Sequence, residues 1–583
     1  MKFHALAHSL LAIGKEASRN KMTELLAELL KHATPHEAQI ISYVALGTIR
    51  APYQGIQFNF AEKSMVKALA AITNQSVEHY TALTKQHADI GAVVQVEPWP
   101  FEDNNLSVLE VYKRLVHIQA ISGTGSQEEK ATALTDLLKQ MDAVSASFAI
   151  RMVLGTMRLG FSDMTLIDAL SWMMAGDKTL KAPIEHAYNV CADIGVIAFK
   201  LKSAGIEEVR HMTPTLGIPI RPAAAERAAN TAAVIERLGS CVAQPKLDGF
   251  RLQIHVDKTH ANPQIWFYSR NLQDMSAMFP DLLKALEPLD VKNVIFEGEA
   301  IVYDEATHTF LPFQETVKRK RKHDIEEVAE SLPLRLFLFD ILFLNGHSVM
   351  PKSHEERRAL LESLFKNYPT ETIQVIEERA CENVAQLTDY FNEQITRGLE
   401  GLVVKRPDAP YQPGKRNFNW IKLKRHEEGH LRDTIDAVVL GYYAGRGKRA
   451  SFGIGAFLVG VYNLTKDRFE SVAKVGTGLT DEEWVELKSR CDKQAVTTQP
   501  HNVVCAPELK PDQWVHPSII GIILADEITQ SPMHAAGKTE TTSGLALRFP
   551  RFMGYSLDKA PTQATTVKEL QELYRLQYEP SQV

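Results

Sequence analysis

Lys246 and Asp248 stand two apart in "AQPKLDGFRLQIHV", just ahead of a glycine and an alternating run. Phe250, Leu252, Ile254 and Val256 can face a core while Arg251, Gln253 and His255 face the other way, as in a strand. A lysine at the mouth of such a strand is either solvated beside an Asp-Gly hairpin or aimed at chemistry that needs an amine. Glu297 and Glu299 lie on one face of "VIFEGEAIVYD", at a solvated edge or in a polar cleft. Glu400 precedes the apolar run "GLVVK", which ends at Lys405. Lys422 and Lys424 alternate with Ile421 and Leu423, so two ammoniums share a face. They repel each other unless that face is a solvated edge or lies beside an anion such as phosphate. Phe339, inside the nearly continuous apolar run "LRLFLFDILFLNG", fits a core position or an aromatic platform.

The elements that must carry these residues fall into three regions. Up to about residue 210 apolar residues recur at three- and four-residue spacing, as in "KMTELLAELLKHA", which predicts helices. Within that region "ISGTGSQEEKATAL" breaks one helix and starts another, with Ser126 and Glu129 spaced as a capping box. It reads as a flexible turn or as a phosphate-meeting loop at a helix N-terminus. A proline-containing stretch, "TPTLGIPIRPAAAER", marks a boundary near residue 212. Strands and helices then mix to about residue 428, where the polar "HEEGHLRDT" reads as a linker. Beyond it, short strands with glycine-rich turns predict a small β-barrel, closed by the helix "TVKELQELYRLQ".

Composition narrows the function classes. The 583 residues carry a net charge of −6, so any nucleic-acid surface must be locally basic. No apolar run approaches the ~18 residues of a membrane span, and the N-terminus reads as an amphipathic helix. The five cysteines form no C-x-x-C pair, which excludes a cysteine-rich zinc site and suggests a reducing compartment, cytoplasmic or nuclear.

In order along the chain, the motifs are K-L-D-G-F-R at Lys246–Arg251, "YSRN" at Tyr268–Asn271, "FEGEAIVYD" around Glu299 and "FLFDILFLNG" around Phe339. "EGLVVK" at Glu400–Lys405, "WIKLK" at Trp420–Lys424 and "LALRFPRFMGYSLDKAPTQATT" complete the series. With "SGTGSQEEK", "VLGTMRLGFSD", "GYYAGRGKR" and "VAKVGTGLTDEEW", the chain resembles, over nearly its whole length, the covalent lysine–nucleotidyltransferases, specifically ATP-dependent DNA ligases of the three-domain, archaeal type.

The resemblance implies a multidomain fold: an all-α DNA-binding domain over 1–210, an α+β nucleotidyltransferase (adenylation) domain over 211–428, and an OB-fold β-barrel domain over 429–583. It implies a three-step reaction in which lysine attacks the α-phosphorus of ATP, AMP passes to a 5′-phosphate at a nick, and the 3′-hydroxyl displaces AMP. Lys246 is then the nucleophile. An ordinary lysine titrates at about 10.4, so such a group needs desolvation or nearby cations. Arg251, Lys422, Lys424 and bound Mg²⁺ (or Mn²⁺) are implied to supply that positive field. Glu299 and Glu400 are the implied cation-binding carboxylates, and Asp248 acts near the attacked phosphate, also as a metal candidate. Phe339 is implied to stack on adenine, and Arg270 to lie near the ribose or the nick phosphate. Arg416 leads to the lysine pair, and Arg548, Arg551 and Lys559 contact phosphate in the last motif.

Two positions depart from the family pattern. Gln244 stands where many relatives carry a glutamate that reads the base edge; glutamine keeps one acceptor and adds donors. Ser556 stands where an arginine usually orients the pyrophosphate leaving group. The implied partners are nicked double-stranded DNA and, as a further candidate, a sliding clamp; a monomer with no membrane association is expected. Replication, repair and recombination are the implied settings. The basic run "VKRKRKH" at 317–323 becomes a candidate phosphate contact. An RNA ligase and a non-catalytic DNA clamp are the rival readings. The full set Lys246, Glu299, Glu400, Lys422 and Lys424 disfavours a decayed clamp, and the helical first region disfavours a capping enzyme.

Overall fold

The computed structural model describes the chain except residues 17, 56–57, 88, 158, 160–161, 229, 305–308, 312–315, 317–318, 320–328, 330, 367, 369, 425–433, 446–448, 450–451, 557–558 and 578–583. The expected linker after residue 424 and, apart from Arg319, the basic run at 317–323 lie outside the described residues. Chain contacts divide the molecule into two compact units, Met1–Leu423 and Lys424–Val583.

Helices fill the chain from Phe3 to Arg210. The first, Phe3–Lys15, buries Phe3, Leu6, Ala7, Leu10 and Ile13, the stripe its spacing predicts. The expected capping box at Ser126 is not formed. Gly125, left-handed at φ +83°, is the N-cap of the helix Ser126–Leu138, and Ser126 is already its first residue. Gly123 and Gly125 complete the turn in a region open to glycine, so the chain enters the helix without a side-chain cap.

The strands that follow are β1 (Ala224–Arg227), β2 (Cys241–Pro245), β3 (Phe250–Asp257), β4 (Gln264–Ser269), β5 (Asn293–Asp304), β6 (Thr309–Phe310), β7 (Leu334–Leu344), β8 (His347–Ser348), β9 (Ile373–Val375), β10 (Arg379–Cys381), β11 (Gly401–Lys405) and β12 (Arg416–Lys424). They make two sheets. One runs β1-β12-β11-β2-β10; the other runs β4-β3-β5-β7-β8, with β6 on β5 and β9 on β7. Lys246–Gly249 is therefore the crossing from one sheet to the other and not the tip of a hairpin. Gly249 is required by close approach: a Cβ there would lie 2.3 Å from the Ala300 carbonyl oxygen. At the end of β7 the Asn-Gly pair does turn the chain, with φ +47° at Asn345 and +89° at Gly346.

Strand β3 is buried on both faces. Leu252, Ile254 and Val256 join the core between the second sheet and its helices, as the alternation predicts. The polar face is also covered. The Gln253 side chain accepts from the Ile220 amide (2.7 Å) and donates to the Ile220 carbonyl (3.0 Å), and His255 Nδ1 accepts from the Gly217 amide (3.2 Å). The proline-containing segment thus straps across β3. It meets the helical region where the Tyr43 and Tyr53 hydroxyls both donate to Asp193 and Tyr268 packs edge-on against Tyr53.

In the second unit, strands Ile435–Tyr443, Ala456–Asn463 and Arg468–Val475 form an antiparallel meander. Ile520–Leu524 extends it, pairing in turn with Arg551–Tyr555. Trp484, Leu487 and Cys491 of the helix Asp481–Lys493 enter the same core, and the helix Val567–Leu576 begins at a Thr566–Glu569 capping box. This is the β-rich C-terminal domain the sequence predicts. Among the described residues no helix is long and apolar enough to cross a membrane.

Candidate active site

The crossing from β2 to β3 places Lys246 against β11. Backbone bonds between Lys246 and the Glu400–Gly401 pair (Lys246 amide to Gly401 carbonyl, 2.8 Å; Glu400 amide to Lys246 carbonyl, 3.2 Å) continue the β2–β11 ladder by one step. That step brings the Lys246 ammonium onto the Glu400 carboxylate. On the opposite side Glu299 of β5 accepts from the Gly249 amide at 3.1 Å. Burial pushes the Glu299 carboxyl up to about 7 against the pull of Lys246 and Arg251, while the Asp248 charge adds to the rise. Lys246, Asp248, Glu299 and Glu400 are thus brought together where the two sheets meet.

Arg251 is placed differently from its sequence expectation. Its guanidinium grips both oxygens of Glu297 (2.9 and 3.0 Å) and donates to the Ala223 carbonyl at 2.8 Å. Tyr411 donates to the same Glu297 at 2.9 Å. The two carboxylates of β5 share a face, as predicted, but have separate work: Glu297 holds Arg251, and Glu299 faces the lysine. Arg251 is therefore held in an ion pair with buried Glu297, whose charge offsets its positive field at the lysine.

Phe339 is half-buried and packs with Leu247, the residue after the lysine, and with Ile376 and Leu399. Trp420 meets its ring edge-on at 6.0 Å, and the Arg251 and Lys405 charges lie 5.4 and 5.2 Å from its centroid. Lys405 also donates to the Phe339 carbonyl at 3.0 Å, and burial lowers its pKa to about 8 despite the nearby Asp340 and Glu378 charges. Gln244 faces away from the core of its own sheet. It shares that face with Lys405, because Cys241, Ala243, Leu402 and Val404 take the core side. Lys422 and Lys424 share the other alternation of β12, whose Ile421 and Leu423 are core. Arg270 follows β4, in a turn closed by Leu272 at φ +60°, and lines a cavity of about 320 Å³ with Arg221, Asn271 and Gly414. For Arg416 the structure describes the backbone, at the start of β12.

In the second unit Arg548 pairs with Glu527, Arg551 with Asp526 (each 2.6 Å) and Lys559 with Asp436. Ser556 donates its amide to the Ile520 carbonyl at 3.1 Å. Sequence reading missed Lys405 as more than a strand end, and it missed Arg221, Asp340, His354, Arg357 and Glu378 altogether. Arg221 was legible as a cation between two prolines of the strap, and Asp340 as the one charge inside an apolar run; His354, Arg357 and Glu378 sit in charged stretches.

Comparison with known proteins follows the same division. Residues 2–171 match the DNA ligase N-terminus model, 222–424 the ATP dependent DNA ligase domain, and 450–559 the ATP dependent DNA ligase C terminal region. A probable DNA ligase of Dictyoglomus turgidum is 43% identical over 577 residues, covering 99% of this chain and 98% of the relative. The chain belongs to the ATP-dependent DNA ligase family. "DNA ligase 2" of Thermofilum pendens is 36% identical over 595 residues, again with 99% of this ligase and 98% of the relative covered. Among solved structures, "Pmar-Lig_PreS3" aligns with 95% of this ligase and 99% of its own chain at a TM-score of 0.56 and 15% identity, a likeness of fold.

Proposed function

We propose that this ligase seals 5′-phosphate/3′-hydroxyl nicks in duplex DNA through a covalent adenylate on Lys246. The observation that carries the reading is the Lys246–Glu400 ion pair beside Glu299, set at the junction of two sheets with Phe339 alongside. Nζ must lose a proton to attack, and Glu400 is the acceptor in contact with it. The Nζ lone pair then forms a bond to the α-phosphorus of ATP as the bond to pyrophosphate breaks. AMP moves to the 5′-phosphate as the N–P bond breaks, and the 3′-hydroxyl expels AMP as the phosphodiester forms. Phe339 offers the adenine a face, Lys422 and Lys424 are the cations for the phosphate oxygens, and the Arg221–Arg270 cavity suits a further phosphate or the ribose. Arg548, Arg551 and Lys559 serve phosphate after exchanging their present carboxylate partners.

The carboxylate set also fits a hard divalent cation. Glu299 is a half-buried carboxyl whose pKa is raised to about 7, and Glu400 and Asp248 supply further oxygens near it. Mg²⁺ held there supplies positive charge to the phosphate oxygens.

Intact mass after incubation with ATP and Mg²⁺ tests the reading. Wild type gains one AMP and loses it when nicked DNA is added and sealed; Lys246→Ala gains none. An adduct that survives in Lys246→Ala, or none in wild type freed of bound AMP, overturns it.

A further inference from the structure

Beside Gln244 lies a largely buried carboxylate, 13% exposed, that the sequence gives no reason to place there. Gln244 Nε2 donates to Glu378 Oε2 at 2.7 Å, and His354 Nε2 meets the same oxygen at 2.8 Å. Gln244 and His354 are 2% and 1% exposed, so both donors are shielded from water. His354 opens the helix His354–Phe365, and Arg357, one turn on, clamps Asp340 of β7 through two bonds (2.7 and 3.1 Å). The histidine is thereby fixed to the strand that carries Phe339.

The chemistry of the cluster permits one arrangement. An ionised carboxylate only accepts, so both neighbours must donate: Gln244 through its amide nitrogen and His354 as the Nε2–H form. Glu378 stays ionised. Burial acts to raise its pKa, but the His354 hydrogen bond and the Lys405 and Arg358 charges hold it below the usual carboxylate range. With one N–H of Nε2 committed to Glu378 the amide cannot flip, and the acceptor Gln244 keeps for a ligand is Oε1, to which no described residue donates. An acceptor suits the exocyclic amine of adenine and opposes the carbonyl that guanine carries at the same position. A glutamine free to flip would greet either base.

We infer that Glu378, backed by His354, is a specificity-positioning residue: it locks the Gln244 amide with its oxygen outward, so that glutamine reads adenine as the family's usual glutamate does. This rests on the nucleotide site proposed above.

The test compares lysine adduct formation from ATP, GTP and purine riboside triphosphate, which lacks only the 6-amino group. Wild type should favour ATP over the purine analogue by about tenfold, the scale of one hydrogen bond. Glu378→Gln, whose amide can donate or accept, should bring that ratio several-fold toward unity and raise the rate with GTP relative to ATP. In a Gln244→Leu background the same substitution should leave the ratio unchanged, because Glu378 acts through Gln244. A merely structural role would slow all three nucleotides alike. Should Glu378→Gln fail to show a cooperative thermal transition, His354→Gln carries the same expectation. Unchanged ratios in variants that still form adduct overturn the inference and leave the ligase reading standing. Absence of adduct in wild type overturns the reading beneath it.

Discussion

The cleft between the two sheets and the C-terminal unit both pair arginines with carboxylates, and they do so at opposite extremes of burial. Arg357 and Asp340 are 1% and 0% exposed, whereas Arg551 and Asp526 are 41% and 33% exposed. A pair shut away from water cannot be separated without stranding a charge, so it acts as scaffold. A pair in contact with water costs little to open, and its arginine is available to a phosphate. The cleft therefore uses its ion pairs to fix Phe339, Gln244 and Arg251, while the last motif keeps its cations exchangeable.

The largest effect should come from breaking a cleft pair. Arg357→Met strips buried Asp340 of its guanidinium, leaving Lys405 as the nearby cation, and should cost about 3–5 kcal/mol, read as a large fall in the urea midpoint. A loss below about 1 kcal/mol would erase the contrast.

Burial beneath the proline-containing strap also predicts a pH dependence. His255 is fully buried against Gly217, Gln253 and Tyr268, and burial lowers its pKa from 6.5 to about 3. Between those values the unfolded chain binds a proton that the folded chain refuses, so stability falls as pH drops through the window. From pH 6.5 to 5 this one group removes about 2 kcal/mol. Urea denaturation across that range should show a shallower pH slope in His255→Gln; equal slopes would mean that water reaches the ring.

Arg551→Ala should do the reverse of the cleft variant. Its stability should change by less than about 1 kcal/mol, while adduct formation with ATP slows by about tenfold or more. Normal adduct kinetics would remove Arg551 from the phosphate machinery. The smallest change is expected at Ser556. Ser556→Arg restores a cation to the last motif and should speed self-adenylation a few-fold in a burst experiment; no change would mean that Arg548, Arg551 and Lys559 already suffice.

Local pattern carried far in this chain. Alternation in β3, the helical stripe of Phe3–Lys15 and the Asn345–Gly346 turn follow from neighbours along the sequence, where sterics and side-chain period act directly. Local signals misled where two were superposed. Ser126 and Glu129 have capping-box spacing, yet the two preceding glycines turn the chain first, and Gly125 takes the cap.

What tertiary structure alone decided is which charge meets which. Nothing in the spacing of "VIEERA" separates Glu377, at a surface ion pair with Arg397, from Glu378, 13% exposed beside His354. Glu297 and Glu299 likewise look equivalent until the sheet crossing gives one an arginine and the other a backbone amide beside the lysine. Residue type and period set which face a side chain takes. The partner on that face comes from strands and helices distant in the chain, and in a cleft shut from water that partner fixes charge and hydrogen-bond direction.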